Sequence, residues 1–304
     1  MKNSPDNSGL ATIALIGAGI LGGLAAIASK IALRELPPLT ILFFRITVML
    51  LVLVPFKWRS FRRFFKQWKA MVIVGLLWTG NVALFIIGIQ YTTAIASQVL
   101  YTTVPILVLL ESRFLTNEKL TKAQIIGIPL GFLGAILIIL RSTGDAGFGT
   151  AYGNTIIFIA TACWSLYLTV SKRVSGNLSP LGLTIGSSFV AWIVVGILMI
   201  VREGYTGILR IPALSFTGWT ALLFIALGIG VAMIFLYQWG LKYGSAIAAG
   251  SMNYLSTAVT AVAGVFLLSE YITTPFLIGA TLIIAGVFLV STLPLLTGRT
   301  QQST

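Results

Sequence analysis

Apolar runs of roughly 20 residues, separated by short polar segments, fill most of this chain. A helix needs a run of about that length to cross the hydrocarbon core of a bilayer. Ten runs can be separated, and we number them as spans 1–10. Their predicted ranges are 10–33, 39–56, 70–90, 94–111, 122–140, 155–171, 181–201, 216–240, 245–268 and 274–292. The pattern predicts an all-α, polytopic membrane protein with ten transmembrane helices.

The second half of the chain repeats the first. Residues 88–140 and 240–292, aligned without a gap at an offset of 152, share 14 of 53 positions, where chance gives roughly a third of that. The prediction is a first five-helix repeat over 1–143, a second over 152–296, and a short cytoplasmic tail, 297–304. Because five is odd, the second repeat enters the membrane from the opposite face. Such inverted-topology repeats are typical of secondary transporters, which bind substrate near the midplane.

Composition supports the membrane assignment and indicates an orientation. The chain is 57% hydrophobic and 9% charged, whereas soluble domains carry about 25% charged residues. A net charge of +13 lies mainly in short loops, where it sets orientation rather than binding nucleic acid. With both termini inside, the inner segments hold 14 Lys and Arg and the outer loops hold 5. This predicts the inner (cytoplasmic) membrane, cytoplasmic N- and C-termini, and a small molecule and the lipid bilayer as partners. A monomer is expected, and a dimer is left open.

The composition also argues against catalysis. The chain has no histidine and a single cysteine, Cys163, so the commonest metal ligands are missing and neither a metal nor a cofactor is expected. A membrane enzyme would need clustered acids or a nucleophile–base pair, and the sequence shows neither. The prediction is that the protein is not an enzyme, with an integral-membrane enzyme the weakest alternative.

Small residues, prolines and charges recur in a fixed order through both repeats. In the first repeat they are Ser29–Lys30, Pro37–Pro38, Arg45, Gly88, Ala94–Ile95–Ala96, Pro105, Glu118, Gly127, Gly131 and Gly134. In the second they are Trp164, Ser171–Lys172, Pro180, Gly240, Ala246, Glu270, Gly279 and Gly286. With these residues the chain resembles, over nearly its whole length, the EamA family of the drug/metabolite transporter superfamily. Ser187 opposite Arg45 and Thr257 opposite Pro105 depart from the repeat.

That resemblance implies a ten-helix inner-membrane carrier with a central cavity, commonly an exporter of amino acids or other small metabolites. A polar group facing lipid is costly, so polar side chains within the spans are expected to line the cavity. We expect spans 1, 3, 4, 6, 8 and 9 to surround it. The predicted substrate-binding residues are Trp78, Asn81, Phe85, Gln98, Tyr101, Trp164, Ser165, Tyr237, Asn253 and Tyr254. The alternative is that they only bond helices together or fill the core.

A second set of residues is predicted to have structural or gating roles: Lys30, Arg45, Pro105, Glu118 and Glu270. Arg45 lies about two turns into span 2, where it either reaches the outer headgroups or binds an anion. Glu118 and Glu270 each stand three residues before a Thr at a helix start, and each is expected to cap that helix. Lys30 is expected to anchor span 1 at the interface, and Glu111 to pair locally with Arg113.

Together, these expectations predict that the protein is a secondary carrier that exports small amphiphilic metabolites, such as amino acids, by alternating access. A multidrug or quaternary-ammonium exporter is the alternative, with Glu111 as its intramembrane carboxylate. Uniport and proton coupling both remain open, because the spans hold almost no deep carboxylate.

Overall fold

In the computed structural model, residues 5–56, 68–116, 120–141, 149–174, 180–243 and 246–292 are described. They form thirteen α-helices. The helices are α1 (Pro5–Ala32), α2 (Pro38–Phe56), α3 (Trp68–Gly88), α4 (Ala94–Tyr101), α5 (Val104–Thr116), α6 (Lys122–Leu140), α7 (Ala151–Val174), α8 (Pro180–Arg202), α9 (Thr206–Arg210), α10 (Phe216–Leu223), α11 (Ile234–Tyr243), α12 (Ala246–Leu268) and α13 (Thr274–Val287). Two π-helical segments, Phe224–Met233 and Phe288–Thr292, extend α10 and α13. Glu118 and the tail 297–304 lie outside the described residues.

The all-α, multi-spanning fold predicted from the apolar runs is confirmed. Within the described ranges, nine helices are long and apolar enough to cross a membrane, and α12 contains a shorter apolar stretch, Tyr254–Leu268. Spans 1–3 are α1–α3, span 4 is α4 with α5, and spans 5–7 are α6–α8. Span 8 is α10 with its π-helical segment and α11, span 9 is α12, and span 10 is α13 with its π-helical segment. The short helix α9, between spans 7 and 8, was not predicted.

Threonine and serine side chains define several helix starts. Thr93 accepts from the backbone N–H of Ala96 at the start of α4. Thr121 forms a capping box with Gln124 at the start of α6, and Thr273 caps α13. These hydroxyls satisfy N–H groups that would otherwise lack partners. The following helices are therefore capped by Thr121 and Thr273, the residues three positions after the two predicted glutamates.

A two-residue turn interrupts span 4 within Ala94–Phe114, a stretch long and apolar enough to cross a membrane, where the sequence predicted one continuous helix. The turn Thr102–Thr103 separates α4 from α5. Both threonine hydroxyls bond carbonyls in the last turn of α4, those of Val99 at 2.6 Å and Leu100 at 2.7 Å. Pro105, the second residue of α5, has no N–H to continue the ladder. The break places Tyr101 at the end of a half-helix, an arrangement that carriers use at their binding sites.

The two repeats interleave instead of forming separate lobes. Span 1 packs on spans 8 and 9, and span 6 packs on spans 3 and 4. Span 2 packs on span 7, and span 5 on span 10. We call spans 1, 8 and 9 bundle A, and spans 3, 4 and 6 bundle B. These six spans are the ones predicted to surround the cavity, so the cavity is expected to lie between bundles that each draw on both repeats.

Glycines bring spans 5 and 10 into backbone contact. A Cβ atom added to Gly134 would lie 2.5 Å from the carbonyl oxygen of Gly279, and one added to Gly286 would lie 2.6 Å from that of Gly127. Gly127 and Gly134 in span 5 are the repeat counterparts of Gly279 and Gly286 in span 10. The contact between Gly134 and Gly279 is therefore matched by a contact between their counterparts, Gly286 and Gly127, which is the signature of a two-fold axis running through the crossing.

Candidate functional site

The middle of bundle B holds a hydrogen-bonded pair of predicted site residues. The amide nitrogen of Asn81, on span 3, donates to the Tyr101 hydroxyl at 2.5 Å and to the carbonyl of Ala160 on span 6 at 2.9 Å. The ring of Phe85, one turn along span 3, meets the Tyr101 ring edge to face at 5.7 Å. Spans 3, 4 and 6 thus join at Asn81, and Tyr101 is held from two sides while staying partly exposed.

Arg45 lies inside the helix bundle. Its guanidinium interacts electrostatically with the Tyr101 phenol, without a hydrogen bond between the two. Its side chain also passes beside Gly230, in the π-helical segment of span 8, where an added Cβ would lie 3.7 Å from the Arg45 Cγ. π-helical turns are rare and frequently occur at functional sites. Arg45 therefore sets a positive charge beside Tyr101, between span 2 and span 8.

Three aromatic rings pack together between spans 3 and 6. Trp78 lies 5.6 Å from Trp164 and 5.3 Å from Tyr167, and the last two rings stack at 5.2 Å. The Trp78 indole N–H is buried, and no described residue accepts a hydrogen bond from it. An N–H buried without an acceptor costs about 1–3 kcal/mol, so this donor is available to a ligand. The sequence places Tyr167 among the polar residues of span 6 that could face the cavity, at i+3 from Trp164 on one helix face, although it is not one of the ten predicted binding residues.

The other predicted site residues are more scattered. Tyr254, half-buried on span 9, packs on the same apolar cluster as Tyr101 and Phe85. Gln98 on α4 and Tyr237 on α11 are partly exposed. Ser165 is fully buried, and its hydroxyl donates to Glu111 at 2.5 Å. Asn253 falls within α12, and its side chain lies outside the described residues.

At one end of the protein, three glutamates accept backbone N–H groups from the opposite repeat. We call it the glutamate end; it carries Glu35, Glu203 and Glu270. Glu203 accepts from Leu39 and Thr40 at 2.8 Å each, at the start of span 2. Glu35 accepts from Ser215, the cap of span 8. Those hydrogen bonds hold the pKa of the Glu35 carboxyl below its ordinary value. A negative charge at a helix start is favourable because N–H groups and the helix dipole converge there.

Glu270 makes a polar contact between bundle A and bundle B, next to the packing of spans 1 and 9 on α4. Its carboxylate accepts from the backbone N–H groups of Ala94 at 2.7 Å and Ile95 at 3.0 Å, the start of α4. Lys30, at the end of span 1, lies 3.3 Å from the same carboxylate and donates to the Thr92 carbonyl at 2.5 Å. Glu270 thus caps a helix of the other repeat, not the one that follows it. Lys30, Glu270 and the start of α4 form what we call the Glu270 clamp.

A cavity of about 390 Å³ opens beside the clamp. Its polar lining is Lys30, Arg34, Gln90, Thr93 and Glu270. The side chains that close bundle A on bundle B are therefore reachable from the glutamate end, which the loop charges predict to face outside.

Replacing Glu270 by Gln should open the glutamate end. The change removes the charge that the Lys30 ammonium and two N–H groups stabilise, and a hydrogen bond to a charged group contributes about 1.5–3 kcal/mol. We expect an impermeant maleimide to label Gln98→Cys from that end at least about tenfold faster in the Glu270→Gln background. Cys163, the one native cysteine, is replaced by Ser in every variant.

Glu35→Gln is the matched control for the clamp. It removes a glutamate from the same end, but its contact with Ser215 joins the α1–α2 connection to span 8 and does not reach bundle B. Its labelling rate should match that of the parent. Equal rates for the Glu270 and Glu35 variants would show that the clamp does not hold the two bundles together.

The fold and the group formed by Arg45, Tyr101 and Asn81 define a class of protein. Ten spans in two inverted repeats, a broken helix and a partly exposed cation–phenol–amide group in the interior are the features of a membrane transporter. The EamA-like transporter family matches residues 9–140 and 151–292, so the chain belongs to that family and is a multi-pass membrane transporter.

Its relatives are transporters as well. It is similar to the uncharacterized transporter YyaM of Bacillus subtilis, 25% identical over 80% of each chain. Another is the uncharacterized transporter YcxC of the same organism, 24% identical over 91% of each chain. The aromatic amino acid exporter YddG of Ancylobacter novellus is 30% identical over 53% of this chain and 55% of its own. One crystal structure superposes with a TM-score of 0.62 at 20% identity, covering 97% of this chain and all of the other, and shows the shared fold.

Proposed function

We propose that this protein exports small amphiphilic metabolites, amino acids with apolar or aromatic side chains above all, from the cytoplasm by alternating access. It would lie in the inner membrane with both termini in the cytoplasm, as the positive charge of its inner segments favours. The observation that carries the proposal is the group formed by Arg45, Tyr101, Asn81 and Phe85. It sets a cation beside polar donors and an aromatic ring, inside a bundle that is otherwise apolar.

Each part of that group suits a different part of the substrate. A guanidinium binds a carboxylate through two parallel hydrogen bonds, with geometric specificity that an ammonium lacks. The Tyr101 hydroxyl can donate to or accept from the polar end of the substrate. The Phe85 and Tyr101 rings offer edge-to-face packing to an apolar or aromatic side chain. The relative from Ancylobacter novellus is named as an aromatic amino acid exporter, which supports the same substrate class.

The remaining expected residues take supporting places in this proposal. Gln98, Tyr237, Asn253 and Tyr254 are proposed to line the route between bundles A and B. Trp78 and Trp164, with the free indole N–H of Trp78, are proposed as a second aromatic surface on that route. Lys30 and Glu270 are proposed to gate the glutamate end, and Pro105 to fix the break in span 4.

A counterflow assay tests the proposal. Purified protein in liposomes loaded with unlabelled L-phenylalanine should take up radiolabelled L-phenylalanine transiently, above the level of empty liposomes. Phenylethylamine, which lacks the carboxylate, should compete at least tenfold more weakly, because it cannot bind the Arg45 guanidinium. The absence of exchange with L-phenylalanine and with a panel of other amino acids would refute the substrate class.

The alternative, export of quaternary ammonium compounds, has one observation in its favour. The trio Trp78, Trp164 and Tyr167 offers aromatic faces, which bind such cations. Uptake of radiolabelled tetraphenylphosphonium that L-phenylalanine does not inhibit would favour this alternative over the proposed function.

A further inference from the structure

One carboxylate of the described protein lies within a membrane span. Glu111 is on α5, five residues before that helix ends at Thr116 and on the side of the membrane opposite the glutamate end. The other three glutamates of the described residues, Glu35, Glu203 and Glu270, accept backbone N–H groups at helix starts. Glu111 instead accepts from side chains of a neighbouring span and not at a helix start, so helix capping does not account for it.

The donors to Glu111 are two hydroxyls on one face of span 6. Ser165 donates to one carboxylate oxygen at 2.5 Å and Thr169, one turn later, to the other at 2.8 Å. A carboxylate in a membrane is costly unless it is solvated in this way. The two hydroxyls compensate part of that cost for the ionised form, while the half-buried position leaves the carboxylate reachable. A carboxylate solvated by hydroxyl groups in this way is suited to exchange a proton.

The surroundings of Glu111 are otherwise poor in ionisable groups. Span 10, which packs against α5 through α13 and Phe288–Thr292, has none. Span 6 presents Ser165 and Thr169, and also carries Cys163 and Tyr167; its Lys172 and Arg173 side chains lie outside the described residues. Arg113 lies on α5 itself, two residues away, and is engaged in an interaction.

Distance separates Glu111 from the group around Arg45. Tyr101 and Glu111 are ten positions apart in the sequence, about 15 Å along span 4 at 1.5 Å per residue. The carboxylate and ammonium of an amino acid are attached to the same carbon, so one substrate molecule cannot bind Arg45 and Glu111 together. Glu111 is therefore a second site, with a cation of its own.

We propose that Glu111 binds the proton that drives export, and that the protein is a substrate/proton antiporter. A proton from outside binds the Glu111 carboxylate and leaves to the cytoplasm, as one substrate molecule moves outward. Protonation removes the charge that Ser165 and Thr169 solvate, so the two hydroxyls set the pH at which the site loads. This inference rests on the proposed function for its substrate only; proton binding at Glu111 can be measured without one.

The first test needs no substrate. Infrared difference spectra of the purified protein between pH 8 and pH 5 should show a carboxylic-acid C=O band that Glu111→Gln removes. Ser165→Ala should move the midpoint of that band upward by about one pH unit, because the ionised form loses one charge-assisted hydrogen bond. Glu35→Gln, whose carboxylate lies at the glutamate end, should leave the band in place. A spectrum with no Glu111-dependent band would overturn the proposal.

The second test separates coupling from transport. Liposomes one pH unit more acidic inside than outside should accumulate L-phenylalanine up to about tenfold with the parent protein, the limit for a 1:1 exchange. Glu111→Gln should abolish that accumulation and retain counterflow. Retained accumulation, or loss of counterflow in a folded variant, would each overturn the proton site. Failure of the parent in counterflow, with the infrared band present, would refute the substrate class and leave the proton site standing.

Discussion

Arg45→Met should abolish amino acid transport while leaving the protein folded in the membrane. Methionine fills a similar volume without the charge, so a bound carboxylate loses its partner. Removing one member of a hydrogen-bonded charge pair costs about 2–5 kcal/mol, which corresponds to a KM for L-phenylalanine raised at least about thirtyfold. Counterflow in liposomes, with the folded fraction measured by size-exclusion chromatography, gives the result.

Two comparisons show whether the loss arises at the carboxylate. Arg45→Lys keeps the charge but not the planar fork, so its KM should fall between those of the parent and the methionine variant. Competition by phenylethylamine should be the same in all three proteins, because that compound has no carboxylate. Arg210→Met, at an exposed position outside the spans, should transport as the parent does. Normal transport by Arg45→Met would mean that this cation does not bind substrate.

Gly134→Leu should have the largest effect on folding. A Cβ at this position would lie 2.5 Å from the Gly279 carbonyl oxygen and 2.8 Å from the Ile283 backbone nitrogen. Neither backbone atom can move without separating spans 5 and 10, so we expect a destabilisation of about 3 kcal/mol or more. A thermal shift assay in detergent should show an apparent Tm lower by at least about 5 °C, or no folded protein.

Gly9→Leu is the control for the glycine contact. It makes the same change in α1, where an added Cβ would meet nothing within 4 Å, so its Tm should be unchanged or slightly higher as helix propensity improves. Gly286→Leu should reproduce the Gly134 result, because its Cβ would lie 2.6 Å from the Gly127 carbonyl oxygen. An unaltered Tm for Gly134→Leu would contradict the backbone contact between spans 5 and 10.

The ends of the spans follow closely from the apolar pattern. Span 5 was predicted at 122–140 and is Lys122–Leu140; span 7 was predicted at 181–201 and is Pro180–Arg202. Bilayer thickness fixes the length of a span, and polar or proline residues mark its ends. The interruption of span 4 is different, because it depends on hydroxyls bonding carbonyls within the helix, and Ser and Thr do this in many helices without breaking them.

Partners between distant spans were harder to predict. The spacing of Asn81 and Phe85 on span 3 and the position of Tyr101 on span 4 indicated inward faces, and the structure brings these residues together. Glu270 was expected to cap its own following helix, and the structure directs it to Ala94 and Ile95 of the other repeat. Local spacing identifies a capping group, whereas the interleaving of spans decides which helix start lies nearest.

The glycine crossing of spans 5 and 10 has a consequence for how a residue of the first repeat differs from its symmetry-related counterpart in the second. Because the crossing is self-complementary, the protein has the geometry of a dimer of two antiparallel five-helix chains joined into one polypeptide. Identical chains would have to place the same residue on both sides of the axis, and a guanidinium in span 2 would be matched by a second in span 7. Covalent fusion frees the two sides to diverge, and Ser187 stands where that second guanidinium would be. The protein therefore keeps the Arg45 guanidinium on one side of the axis and avoids the repulsion of two.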